Sequence, residues 1–232
     1  DDYSNPFIET RNEIKNIAIV LIGSDRGLCG SFNTNLFKSL NAQIEELSKQ
    51  YPNAHFHFVP VGKKSVAFIK RSKLDSITEF SDIFNKLHFE DAQKIVGSLI
   101  SLNLNGEVDK IYLFYNEFIN ILKQLPRVKQ LLPIEPTSEQ TEIKSLDYIF
   151  EPSKEQILDV LIPKLIDARL WKALLESNAA EQAARMMAMD NATSNANDLI
   201  RMLELQYNKE RQASITKEML EIVGGAEALK SK

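Results

Sequence analysis

A single cysteine, Cys29, stands in a chain of 232 residues. It excludes an internal disulfide framework and cannot by itself make a thiolate metal site, and it suits a reducing compartment. Cationic excess is also missing, with 28 Lys and Arg against 32 Asp and Glu for a net charge of −4. That removes the electrostatic case for a nucleic-acid partner, because phosphate backbones are gripped by surplus Lys and Arg. No apolar run reaches the ~20 residues needed to cross a bilayer. The opening DDYSNPFIETRN has neither signal-peptide nor transit-peptide character, so a soluble chain is expected. What is present in quantity is apolar side chain, 44% of residues, enough for one core plus an appendage or for two small domains.

Up to about Pro152 the chain alternates apolar runs with amphipathic stretches, the pattern of an α/β layer structure. IKNIAIVLI is continuous enough in Ile and Val to be a buried parallel strand. Leu36, Leu40, Ile44 and Leu47 then recur at helical spacing. AHFHFVPV alternates as a second strand that stops at Pro60 and Gly62. A short helix over KKSVAFIK follows, then a clearer one carrying Ala92, Ile95, Val96, Leu99 and Ile100 on one side. VDKIYLFYNEF is a third strand, and INILKQLPRVKQLLPIEP supplies one or two more, broken near Pro126. From Pro136 to Lys144 the polar sequence predicts a loop.

The period changes after Pro152. Ser153 and Gln156 make a capping box, and Gly224 with Gly225 is a natural helix end. Between them only Pro163 interrupts, which predicts a kink or a short first helix set apart from a long one. About 60 continuous residues at ~1.5 Å each would span about 90 Å. Steps of three and four from Leu158 mark a seam through Leu161, Leu165, Leu175, Met186, Met189, Ile200, Leu203 and Tyr207, with breaks chiefly at Lys172 and Gln182. A period near 3.5 residues is that of a coiled coil. Beyond Tyr207 the apolar positions shift to Ile215, Met219, Ile222 and Val223. The expected division is therefore an α/β domain over 1–152 and a long coiled-coil helix over 153–232.

The segment LIGSDRGLCGSFNTNLF joins the first strand to the first helix, where backbone N–H groups and the helix dipole favour an anion. Yet the spacing of Gly23, Gly27 and Gly30 is neither that of a dinucleotide loop nor that of a Walker A, and no carboxylate ends the second strand to hold a ribose. A tight structural turn is the better reading. Cys29 lies near a helix N-terminus but has no neighbouring base, which favours a small buried residue. His55 and His57 share one side of a strand with no cysteine or carboxylate cluster to complete a metal site. Glu176, Glu181, Asp190 and Asp198 fit a solvated helix face, and nothing assembles a reaction.

The wording SDRGLCGSFNTNL, NGEVDKIYLFYNEF, ESNAAEQAARMMAMDNATSNANDLI and YNKERQASITKEMLEIVGGAEAL closely resembles the gamma subunits of F-type ATP synthases. The likeness runs from about Ile14 to Leu229 and lacks the cysteine-pair insertion of the redox-regulated chloroplast type. It implies a Rossmann-like α/β domain followed by a very long C-terminal helix in an antiparallel coiled coil. It further implies a non-catalytic rotor without cofactor or metal, partnered by the alpha and beta subunits of the ring, the epsilon subunit and the membrane c-ring. Its place would be the cytoplasmic face of the bacterial inner membrane, or the matrix side of the mitochondrial one. Within EQAARMMAM and YNKERQASITKEM, the residues Arg185, Arg211, Gln212 and Thr216 resemble positions that couple the shaft to the ring. The resemblance also implies an N-terminal helix that these residues do not contain, so an isolated long helix would fray, self-associate or pack against a separate fragment. A nucleotide-binding α/β enzyme with a helical oligomerisation arm, and a coiled-coil scaffold with a globular head, are the competing readings.

Overall fold

The Ile- and Val-rich run becomes the central strand β1 (Asn16–Ile22) of a four-stranded sheet. The computed structural model describes residues 5–9, 11, 13–135 and 151–230. After β1 come α1 (Phe32–Gln50), β2 (His55–Val61), α2 (Lys63–Ser72), a 3-10 turn at Ile83–Asn85, α3 (Phe89–Leu104), β3 (Lys110–Asn120), β4 (Lys123–Leu132) and α4 (Lys154–Lys230). The strand order is β2-β1-β3-β4, with β1 parallel to both neighbours and β4 antiparallel to β3. The expected α/β class is therefore what forms, with a mixed sheet and a long C-terminal helix.

From Ile17 to Ile22 β1 is apolar at every position because both of its faces are covered. Ile17, Ile19 and Leu21 meet Leu36, Leu40 and Leu47 of α1 and Phe68 and Ile69 of α2. Ala18, Val20 and Ile22 meet the expected stripe of α3, and also Ile162, Ile166, Leu170, Ala173 and Leu174 of α4. Each of these larger α4 side chains contributes roughly 1.5–3 kcal/mol by leaving water. At the opposite end of the strand, Asp109 accepts from the N–H groups of Lys15 and Asn16 at 2.7 and 2.8 Å and pairs with Arg11 at 2.6 Å. Burial opposes the charged form of Asp109, but the Asn16 N–H, the Arg11 guanidinium and the Lys15 N–H outweigh it and hold the carboxyl below its ordinary value.

Three boundaries depart from expectation. Pro126 does not break the fourth strand: β4 runs through it at the sheet edge, where proline is tolerated. Pro163 does not set a short helix apart, since α4 is continuous across it. A proline inside a helix costs about 3 kcal/mol, and the burial of Ile162, Ile166 and Leu170 on the sheet offsets it. Nor do Gly224 and Gly225 end the helix, which continues through the strong helix formers Ala226, Glu227 and Ala228. At its start, Ser153 Oγ accepts from the Gln156 N–H at 3.3 Å, as the capping motif requires. The segment expected to loop from Pro136 to Lys144 lies outside the described residues.

The chain divides into two compact units, 1–187 and 188–232. In the first, α4 packs on the sheet; in the second, Ala188 is half-buried and every α4 residue from Met189 to Glu227 is exposed. In the first unit α4 carries two apolar stripes, and the second of them is continued in the sequence of the other unit. One is buried, and the other is the seam marked from the sequence: Leu161, Leu165, Leu175, Met186, Met189, Ile200, Leu203 and Tyr207 are all exposed, between 39% and 67%.

Candidate functional site

In an open α/β sheet the ligand crevice lies beyond the strand C-termini where the strand order reverses. Here that point falls between β1 and β3, immediately below the glycine-containing turn. The turn brings β1 and β2 into close approach. The Gly23 N–H donates to Val61 O at 3.0 Å, and a Cβ added to Gly23 would come within 2.3 Å of Ser65 Oγ on α2. Gly62, at φ +90°, faces Gly23 O so closely that any side chain would sit 2.7 Å from it.

The anion that such a turn invites is already supplied by the chain. Asp25, 8% exposed, accepts from the Lys63 N–H at the start of α2 at 2.9 Å, from Asp82 N–H at 3.1 Å and from Phe84 N–H at 2.8 Å. A carboxylate therefore occupies backbone donors at the start of α2 and beside the 3-10 turn, where an anion from solution could otherwise sit. The start of α1 is covered as well. Cys29, Phe32 and Ala180 of α4 are buried together, and Asn33 Nδ2 donates to Ser24 Oγ at 2.7 Å. The reading of Cys29 as a small buried residue holds, at 2% exposure.

α4 fills the rest of the crevice. Ser177 Oγ donates to Ile22 O at the end of β1 at 3.4 Å. Two turns on, Arg185 pairs with Glu181 at 2.6 Å and donates to Gly27 O at 3.3 Å. Glu181 is thus no part of a solvated face, as its helical neighbours had implied; it is 4% exposed, and burial pushes its carboxyl up while the Arg185 guanidinium pulls it down. What remains is a cleft of about 190 Å³ between the turn and α4. Its charged groups are all engaged, Arg26 with Asn85 Oδ1 at 2.8 Å and Asp25 and Arg185 as above.

The other sequence candidates separate. His57 Nδ1 lies 2.6 Å from Asp75 and its Nε2 3.3 Å from Asn16 Oδ1, a strand-edge arrangement rather than a ligand set. Among the described residues no group of three His, Cys, Asp or Glu is placed to hold a metal. Arg211, Gln212 and Thr216 lie in the second unit, all exposed. Thr216 Oγ1 donates back to Gln212 O at 2.9 Å, while the Arg211 guanidinium has no ion pair among the described residues. Arg185 is not with them: it belongs to the first unit, at the crevice. Asp25 and Ser177 were not singled out from the sequence. The signal was available, because a carboxylate inside a glycine turn repels phosphate, and Ile162, Ile166, Leu170, Ala173, Ser177 and Ala180 recur at helical spacing.

An α/β unit whose crevice is stopped from within, joined in sequence to a helix that keeps a heptad stripe in solvent, defines a subunit built for assembly. The chain matches the ATP synthase family over residues 1–229 and belongs to its gamma chains. It is 43% identical to the ATP synthase gamma chain of Chlorobaculum tepidum over 231 residues, covering 99% of this chain and 79% of that one. To the gamma chain of Cytophaga hutchinsonii it is 44% identical over 233 residues, with the same coverage of 99% and 79%. Among solved structures, a chain of the Euglena gracilis mitochondrial ATP synthase, in its OSCP, F1 and c-ring assembly, shares the fold with a TM-score of 0.67 at 20% identity. That likeness covers 93% of this chain and 73% of that one. No helix of the described residues is long and apolar enough to cross a membrane.

Proposed function

We propose that this chain is the central-stalk rotor of an F-type ATP synthase, turning inside a ring of alpha and beta subunits and standing on the c-ring with the epsilon subunit. It carries no reaction of its own. The observation that supports this best is the exposed seam from Leu161 to Tyr207, a heptad stripe without a partner among the described residues and suited to a second, antiparallel helix. Two wrapped helices resist bending and twisting better than one, which is what a shaft requires.

Coupling follows from asymmetry. A single shaft presents a different face to each of three equivalent catalytic subunits and so biases each toward a different affinity for ADP and ATP. Arg211, Gln212 and Thr216 are the handles on that shaft, with Arg211 and Gln212 donating to acidic loops of a beta subunit. Their exposure supports the assignment. The complex sits at the cytoplasmic face of a bacterial inner membrane, reached by this chain through its partners. The test is reconstitution of the complex with Arg211→Ala and Gln212→Ala together. Coupled ATP turnover is expected to fall at least tenfold, since even one lost hydrogen bond to a charged group costs about 1.5–3 kcal/mol; unchanged turnover would count against these handles.

A further inference from the structure

Arg185 has the sequence surroundings of a ring-facing handle but not the environment of one. Its side chain is 23% exposed, and three of its contacts are internal: Glu181 Oε1 at 2.6 Å, Gln182 Oε1 at 3.3 Å and Gly27 O at 3.3 Å. The first two lie on α4 itself. The third lies on the turn that follows β1, 158 positions away in sequence. Glu181, with a side chain only 5% exposed, holds the guanidinium in place from behind. Four residues before Glu181, Ser177 fastens the same helix face to the end of β1, and Ala180 covers Cys29 in the turn.

We propose that Arg185 is a positioning residue that latches α4 onto the glycine turn, with Glu181 as the buried carboxylate that aims it. The planar guanidinium suits the task, since Nη2 donates to both the Glu181 carboxylate and the Gly27 carbonyl while Nη1 reaches Gln182, a fixed set of directions that a freely rotating ammonium holds less well. Building on the rotor reading, the latch adds to the buried stripe of Ile162, Ile166 and Leu170 in making α4 and the sheet turn together. A side chain held in this way is removed from the set of groups that touch the ring. Truncating it leaves Glu181 buried and uncompensated, so the loss at Arg185 exceeds the loss at Glu181.

Cys29 is a built-in reporter, because it is the sole cysteine, is 2% exposed and is covered by Ala180 of the latched helix. The experiment measures the rate at which a disulfide reagent modifies Cys29 in the full subunit, at several urea concentrations below the unfolding transition. Arg185→Ala is expected to speed modification about tenfold with little dependence on urea, as local opening requires. Glu181→Gln speeds it less, Arg185→Lys falls between parent and Arg185→Ala, and the double variant is no faster than Arg185→Ala alone. Three results would overturn the latch: an unchanged rate in Arg185→Ala, rates that multiply in the double variant, or an acceleration that rises with urea as steeply as global unfolding does. The rotor reading fails separately. If the alpha and beta subunits hydrolyse ATP at the same rate with and without this chain, that reading falls while the Cys29 rates stand.

Discussion

Replacing Asp25 tests whether the chain supplies its own anion. Three backbone N–H groups, from Lys63, Asp82 and Phe84, end on its two oxygens at 2.8 to 3.1 Å. A hydrogen bond to a charged group contributes about 1.5–3 kcal/mol. Water entering the vacated space recovers part of three such bonds, which leaves an expected loss of about 3 kcal/mol for Asp25→Ala. Asp25→Asn has the same shape and keeps one carbonyl oxygen, which still serves the Lys63 and Asp82 N–H groups. Its amide then points a donor at the Phe84 N–H, for a loss of about 1–2 kcal/mol. The assay is urea unfolding followed by fluorescence of Trp171, the single tryptophan, which packs edge-on to Phe89 at 5.7 Å and so reports the seating of α4 on α3. Both variants unfolding within 0.5 kcal/mol of the parent would refute the reasoning, as would Asn costing more than Ala.

Two further expectations come from the helix faces and the Asp109 tie. Leu170→Ala, in the buried stripe, is expected to cost about 3 kcal/mol by the same assay, whereas Leu175→Ala, on the exposed seam, stays within about 0.5 kcal/mol. Equal losses would mean the two stripes are not distinct. Because the Asp109 pKa is lowered in the folded chain, its stabilisation is complete above the ordinary value of 3.8 and is lost as pH falls through the lower folded value. Arg11→Ala, removing a guanidinium that is 38% exposed, is expected to cost about 1 kcal/mol at neutral pH. Urea titrations at successive pH values should show that gap closing in acid; a gap that persists well below pH 3.8 would point to packing instead.

The layers of the fold were legible because their signal is local. Ile17 to Ile22 are apolar without interruption, and Leu36, Leu40 and Leu47 repeat at helical spacing. The seam was legible for the same reason, since a heptad stripe shows in sequence whether or not a partner covers it. Pro126, Pro163 and Gly224 misled because each carries a local preference that position overrides. A sheet edge accepts Pro126, packing of Ile162 and Ile166 holds the helix across Pro163, and helix formers resume after Gly225. At the crevice, the absence of a phosphate-binding pattern was visible, and so were Asp25 and the helical spacing of Ser177, but the partners they meet were not. Asp25 meets Phe84 across 59 positions, and Ser177 meets Ile22 across 155. No window of sequence contains both partners. Glu181 misled in the opposite sense, because a charged residue on a helix is ordinarily solvated, and only the return of α4 over the turn buries it.

A carboxylate tethered at its own binding site competes at an effective concentration far above that of any diffusing metabolite. With Asp25 on the N–H groups of Lys63, Asp82 and Phe84, a diffusing anion meets donors already in use. The turn thereby keeps one shape whatever the anion concentration around it, because its counter-charge is part of the chain.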